Sequence, residues 1–530
     1  MLVYAIGVLV SFAIYMLIGT VLSRRVSNVE DYYVSGRNAS TLMITGSLVA
    51  SFLSTVAFMG EAGFAYDGYP ITLLILTIFN ASGYVLGVLL FGRYLRRSNA
   101  ITLPEYFGKR FNSKRVQRVA GLTTIVGISA YLVAVTQGGA LLLSRILEVQ
   151  YPVALIIVWV VYTSFTFMSG AKGVLVNDTL MFFIFSLATF IGIPYIIYAA
   201  GGWPEAIVAT ANLDIKPDLL SWHGLTGDTS FMGTPIEVLG YAVILGLVWG
   251  TVVSVSPWQT SRYLMAKSEH VAIRAGIVAM ISLMAIYLFL HIGITTVNLI
   301  NPDINPSENV FIWAAINIMP TWIGVIVLTG IMAATLSSAS TFLQLIGNSF
   351  SNDLFYLKLS DKKALSFSRM SMLALSVVTL LITLGQPPAI MWIGYFAATL
   401  FAASWGPVAF ASIYSKRVNG NGAFWSIVIG FFAVIGAEIF QAVVVELPIF
   451  LHPVVIGVIL STLTLVVFAK VGEVTDEEIV FRNQLLRTPK EFFNKSEVKI
   501  TRRYVILLFI SGILMVAATF FFYFYPVYIL

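Results

Sequence analysis

TLMITGSLVASFLSTVAFMGEAGFAY, residues 41–66, is long enough to cross a bilayer, yet it departs from smooth hydrophobicity. Ser47, Ser51, Ser54, Thr55 and three glycines interrupt it, and Glu61 lies beyond its middle. A second stretch, GYAVILGLVWGTVVSVSPWQTSR (240–262), carries Gly246, Gly250 and Pro257. Interrupted helices in corresponding places of two halves mark a binding site at the membrane midplane. Taken singly, such small residues more often just let helices pack closely. Two at matching positions favour the site.

The surrounding chain fits a membrane setting. Of its 530 residues, 58% are apolar and 11% charged, against a usual ~45–50% and ~25%. Mean hydropathy is +0.90. A soluble chain of this composition lacks the polar side chains to cover its surface. With no cysteine, disulfide scaffolds, zinc ribbons and thiol nucleophiles are excluded. His223, His270, His291 and His452 are scattered, without metal-ligand spacing. No GxxxxGK(S/T) loop or appended soluble module is present, so neither ATP nor a cofactor is expected to drive the protein.

A helix needs about 20 apolar residues to span the hydrocarbon core. Fourteen candidate spans follow: 2–22, 41–66, 70–92, 118–146, 152–168, 174–200, 235–256, 271–300, 320–348, 365–386, 389–414, 422–444, 451–470 and 503–526. The first has Arg24 and Arg25 after it and no charge before it, the reverse of a signal peptide. Lysine and arginine accumulate on the cytoplasmic side. With the N-terminus outside, 29 of the 31 basic residues fall at cytoplasmic connections, leaving only Arg145 and Lys216 outside. The expectation is a multi-pass protein of the plasma membrane with both termini outside. Its net charge of +6 needs no nucleic-acid partner.

The organisation expected is a peripheral helix and loop (1–40), a five-helix half (41–200), an outer cap (201–234), a second five-helix half (235–414) and peripheral helices (415–530). An odd number of spans per half forces the second to be inverted. Segment 201–234 reads as a short-helix cap, and 471–502 as a charged, solvated cytoplasmic linker.

In TGIMAATLSSASTFLQLIGNSF (329–350), Ala334, Ser337 and Ser338 share one helix face, which Ser340 and Thr341 extend by a turn. Small hydroxyls with exposed carbonyls suit a hard monovalent cation, provided that unwound backbone on a partner helix completes the shell. Without it, they are packing hydroxyls. Carboxylates at membrane depth are expensive and usually functional. Asp178 is either such a group or a favourable charge at a helix start. Glu61 serves at a gate or in recognition, or else bonds to irregular backbone around Gly60 and Gly63. Glu438 reads as a structural or subunit contact, and His291 as a hydrogen-bonded interior histidine. No catalytic constellation emerges.

Five segments, in order, resemble the solute:sodium symporter family over essentially the whole chain. They are EDYYVSGRN (30–38), ITLPEYFGKRF (101–111), SGAKGVLVND (169–178), WGTVVSVSPWQTSRYLMAKS (249–268) and ATLSSAS (334–340). The resemblance implies an all-α, LeuT-type inverted repeat with discontinuous helices and sodium-driven alternating access. It implies a first sodium site at the carbonyls of Ala50, Leu53 and Ala334 and the hydroxyls of Ser337 and Ser338. Some members hold a second sodium, and Asp178, Ser337, Ser340 and Thr341 match that pattern. The substrate positions are Phe52, Ser54, Thr55, Ala57, Trp249, Val253 and Pro257. Trp249, Gly250, Pro257 and Arg262 match the proline-transporter branch. Val253 replaces its tyrosine and Phe52 its aspartate, while Ala57 replaces the sugar branch's glutamine.

The leading expectation is sodium-coupled import of a small organic solute bearing a carboxylate, such as a monocarboxylate or amino acid. The alternatives are a sugar or vitamin symporter, or a symporter-like solute sensor. Sodium is the only metal expected, with solute and lipid bilayer as the other partners.

Overall fold

A computed structural model describes residues 1–24, 26–228, 230–355, 360–385 and 390–530. Arg25 and the expected span limits at 386 and 389 lie outside the described residues. Among those described, the chain is helical nearly throughout, and the only β-pairing is two isolated bridges.

The principal helices are α1 (Leu2–Ser23), α2 (Thr41–Ala50), α3 (Pro70–Gly87), α4 (Lys114–Leu147), α5 (Tyr151–Ala199), α6 (Pro235–Val255) and α7 (Pro257–Met265). There follow α8 (Glu269–Thr295), α9 (Thr321–Asn348), α10 (Asp361–Leu384), α11 (Ile390–Tyr414), α12 (Gly420–Val443), α13 (Pro453–Val471) and α14 (Lys495–Thr519).

Among the described residues, twelve helices are long and apolar enough to cross a membrane, against fourteen expected spans. The difference has two sources. Range 41–66 is broken, and its regular part, α2, has only 10 residues. The ranges 152–168 and 174–200 both fall in α5, which runs for 49 residues. At ~1.5 Å per residue that is roughly 74 Å, more than twice the ~30 Å core. Gly170 bends it, with φ 54° and ψ −147°. A β-carbon at Gly170 would collide with the ring of Tyr32.

The centre of the bundle is α9, which packs along α5 and α4. Its residues from Gly330 to Gln344 are all buried. By contrast α14 has no buried residue and leans on α8. A hydrophobic helix of that kind is solvated by lipid.

The outer loop contains one helix, Glu205–Ala211. Its Ile207 packs with Leu220 against Ile71, Leu288 and Ile292 of the bundle. Lys216 Nζ donates to the carbonyl of Tyr66 at 3.0 Å and lies 4.0 Å from the Tyr66 ring centroid. Thus a cationic latch ties the cap to the end of the first broken helix.

Segment 471–502 is mostly exposed, as its charge suggests, and is anchored to the bundle at several points. A capping box between Thr475 and Glu478 starts the helix Asp476–Leu486. Arg97 Nη1 reaches Leu485 O at 2.8 Å, and Arg482 Nε reaches Ile413 O at 2.8 Å. Arg97 also forms a two-pronged pair with Glu269. Arginine-to-carbonyl bonds thereby anchor the linker to the bundle. The ITLPEYFGKRF loop owes its shape to a second reciprocal cap. Thr102 Oγ1 accepts from Glu105 N at 3.1 Å, and Glu105 Oε2 accepts from Ile101 N at 2.9 Å.

Candidate ion and solute site

The first broken helix unwinds where hydroxyls compete for its backbone. Ser51 Oγ donates back to Leu48 O at 3.3 Å, and Ser54 Oγ accepts from Val56 N at 3.1 Å. Such local bonds offer the chain an alternative to the helical ladder. Residues 51–54 are non-helical, and a wide π-type turn over Val56–Glu61 follows before regular helix resumes at Ala62. The second break has another cause. Ser256 is held extended (φ −64°, ψ 150°) by Pro257, which opens α7 as its first residue.

The unwound carbonyls meet α9. Ser338 Oγ donates to Ala50 O at 3.3 Å and lies 3.5 Å from Ser51 O. Ala50, Leu53, Ala334, Ser337 and Ser338 are all fully buried. This is the partner backbone that the α9 hydroxyls require to act as more than packing groups. Ser337 itself points elsewhere: its Oγ donates to Asp178 Oδ1 at 2.7 Å.

Asp178 is not a charge at a helix start. It lies two turns past Gly170, fully buried, and collects donors from three other elements. Ser47 Oγ donates to Oδ2, Ser337 Oγ to Oδ1, and Arg262 Nη2 reaches Oδ2 at 3.2 Å. Arg262 is 1% exposed and Asp178 0%. The guanidinium also donates from Nε to Ser47 Oγ at 2.7 Å and from Nη2 to Thr341 Oγ1. Ser340 Oγ is turned back to Ser337 O at 2.9 Å. A fixed cation therefore already sits among the residues expected to hold a second sodium. Sequence reading matched Arg262 to a motif but gave it no role. The available signal was an arginine at the end of an apolar run and a carboxylate, Asp178, at membrane depth in another.

The expected substrate positions divide. Phe52 and Trp249 meet edge to face at 5.5 Å, and Trp249 meets Tyr395 of α11 at 5.2 Å. Trp249 Nε1 is buried without a partner, as are Ser256 Oγ and Trp258 Nε1 at the second break. Ser54 and Ala57 are buried in the first broken helix, while Thr55 Oγ1 donates to Val135 O of α4 at 3.4 Å. Val253 and Pro257 lie away from this aromatic group. Val253 packs on Gly83 of α3, and Pro257 lines a cavity of only about 10 Å³ with Ser261, Gln344 and Asn348.

Glu61 bonds to a side chain, not to irregular backbone. Tyr395 Oη donates to Oε1 at 2.8 Å, and Oε2 has no partner. Nor is His291 hydrogen-bonded: both ring nitrogens are unpartnered, with Nε2 3.8 Å from Glu61 Oε2. Tyr395 was missed in the sequence because α11 carries no polar pattern around it. Glu438 accepts from Gln441 Nε2 at 2.7 Å and lines an outer cavity of about 940 Å³. Tyr241 and Tyr395 also line this cavity.

The geometry agrees with what the chain resembles. The model of the sodium:solute symporter family matches residues 32–430. A sodium/pantothenate symporter from Haemophilus influenzae is 26% identical over 410 residues, covering 76% of this chain and 82% of that protein. A sodium/proline symporter from Escherichia coli is 25% identical over 489 residues, covering 88% of this chain and 93% of that protein. A Na+-coupled sialic acid symporter, solved substrate-bound and outward-open, superposes with a TM-score of 0.76 at 18% identity, over 90% of this chain and 99% of that one. Mhp1, a nucleobase-cation-symport-1 family transporter, superposes with a TM-score of 0.53 at 12% identity, over 86% of this chain and 98% of that one. These likenesses give the chain a LeuT-type transporter fold. Unwound carbonyls facing a hydroxyl-bearing helix, within that fold and that match, lead to one conclusion: the chain belongs to the sodium:solute symporter family.

Proposed function

We propose that this plasma-membrane protein imports a small carboxylate-bearing solute with sodium by alternating access. Residues 41–200 and 235–414 act as inverted halves, and both termini face outside. The observation that carries the ion site is Ser338 Oγ against the freed carbonyls of Ala50 and Ser51, at 3.3 and 3.5 Å. Sodium entering there takes the carbonyls of Ala50, Leu53 and Ala334 and the Ser338 hydroxyl. The Ser337 hydroxyl joins once it turns from Asp178. One sodium is the stoichiometry favoured, because Arg262 already neutralises Asp178.

The solute lies beside Phe52 and Trp249. Trp249 Nε1, a donor buried without a partner, suits an anionic oxygen, as do the backbone donors at the start of α7. Proline, pantothenate and sialic acid, named for the relatives above, are all carboxylates. The aromatic walls favour a partly apolar body over a sugar.

The test is uptake into proteoliposomes of labelled proline, pantothenate and a panel of small monocarboxylates, with and without an inward sodium gradient. Sodium-dependent accumulation, weakened in Ser338→Ala, is expected. Binding without accumulation would identify a sensor instead, and accumulation indifferent to sodium would overturn the proposal.

A further inference from the structure

Two unpaired groups in the outer half of the bundle have no part in sodium binding. Glu61 is 6% exposed and His291 fully buried, yet Glu61 Oε2 and both His291 nitrogens lack hydrogen-bond partners. A buried carboxylate left half-satisfied is costly in a membrane interior, as is an imidazole with no bond at all. The two face each other, Nε2 to Oε2, at 3.8 Å. One proton on Nε2 would turn that gap into a charge-assisted hydrogen bond, after a side-chain movement of about 1 Å. We propose that Glu61 and His291 form a proton-binding site, filled from the outer cavity.

The surroundings support a proton over a larger cation. Tyr287 stacks on the His291 ring at 4.6 Å and presents its hydroxyl to Glu61. Tyr395 donates to Glu61 Oε1, and the phenols of Tyr241 on α6 and Tyr131 on α4 complete the titratable groups around the carboxylate. Among the described residues, no lysine or arginine pairs with Glu61. These groups are rings and hydroxyls, with no set of carbonyl oxygens to replace an ion's water shell. They can, however, relay a proton. Tyr395 and Tyr241 both line the outer cavity, and the Tyr241 hydroxyl is buried without a partner. The same cavity is rimmed by Asp228, Glu237, Glu438 and Glu446, with no lysine or arginine in its lining. That rim concentrates protons at the cavity mouth.

Unprotonated, the pair is a buried net negative charge; protonated, it is a neutral ion pair. The chemistry is simple proton transfer: hydronium in the cavity gives its proton to His291 Nε2 through the phenols and leaves as water. Tyr395 joins this site to the solute pocket, since its ring also packs on Trp249.

The chain has only four histidines, so nuclear magnetic resonance of histidine-labelled full-length protein in nanodiscs can follow His291 directly, assigned by loss in His291→Gln. In the wild type, the His291 signal should move with pH. In Glu61→Gln, which removes the facing carboxylate, and in Tyr395→Phe, which removes that carboxylate's donor, the pH response of the His291 signal should change. A His291 signal that ignores pH, or one unaffected by either substitution, would overturn the assignment. Neither solute nor sodium enters this measurement, so failure of the sodium site leaves it standing, and the reverse.

Discussion

Arg262 on α7 is bonded at once to the first broken helix, α5 and α9. Ser47, Asp178 and Thr341 are its partners, and every member is buried. Beside it lies the cavity of about 10 Å³ at Pro257, Ser261, Gln344 and Asn348. One guanidinium thus ties together α7, the first broken helix, α5 and α9, and we expect these bonds to hold this end of the bundle closed. Replacing Arg262 by glutamine leaves Asp178 as an uncompensated buried charge, which costs ~3–5 kcal/mol. About 1.4 kcal/mol falling on the closed arrangement already shifts the balance toward an open cytoplasmic side tenfold.

The chain contains no cysteine, so Asn348→Cys supplies a single reporter in that small cavity. Its reaction with an impermeant maleimide, added from the cytoplasmic side, should quicken at least ~10-fold in the Arg262→Gln background. Adding Asp178→Asn removes the stranded charge, so the double variant should react more slowly than Arg262→Gln alone. Equal labelling rates with and without Arg262, or strictly additive effects of the two substitutions, would refute the pin.

Four further outcomes can be checked. Ser338→Ala should raise the sodium concentration for half-maximal uptake with near-normal expression, since a packing hydroxyl is worth only ~0.6 kcal/mol in membrane helices; Arg262→Gln, by freeing Asp178, should make the sodium dependence sigmoidal. Lys216→Met should loosen the cap, because a charged hydrogen bond contributes ~1.5–3 kcal/mol and less where, as at this half-buried lysine, solvent screens it, and limited proteolysis within 212–234 should accelerate. Gly170→Ala should reduce folded yield, measured by size-exclusion profile, because the strained backbone costs ~1–3 kcal/mol and the new β-carbon overlaps Tyr32.

Different kinds of signal made different parts of the molecule legible. Both helix breaks were readable, as hydroxyls around Ser51 and as proline at Pro257, since each acts on its own backbone. The face of Ser337 and Ser338 followed from helical spacing alone. Where the hydroxyls point did not, because Ser337 chooses Asp178 only once α5 and α9 are packed. The same holds for Glu61, whose partners come from Tyr395 and His291, 334 and 230 positions away. The bend at Gly170 falls where a boundary between two spans was expected, whereas its close fit to Tyr32 depends on a distant part of the chain. The charges of 471–502 suggested solvation, and most of the segment is exposed, but its anchoring partners Arg97 and Ile413 lie far away in sequence.

The electrical consequences of Arg262 bear on how the transporter returns empty. A lone Asp178 would carry an unpaired carboxylate through a low-dielectric interior on every return stroke, at a cost of several kcal/mol. The guanidinium is tethered to α7 and travels with the protein, so it neutralises that carboxylate whether or not sodium is present. Sodium at the proposed site near Ala50 would then add the charge that moves with the loaded form. One such charge falling through 100 mV yields about 2.3 kcal/mol, enough for more than tenfold solute accumulation. A transporter built this way couples to the membrane potential on the loaded stroke and is nearly indifferent to it at Asp178 on the return. Removing Arg262 should thus make the empty return depend on membrane potential, an inside-negative potential favouring outward movement of the unpaired carboxylate, which separates its electrostatic role from its role as a pin.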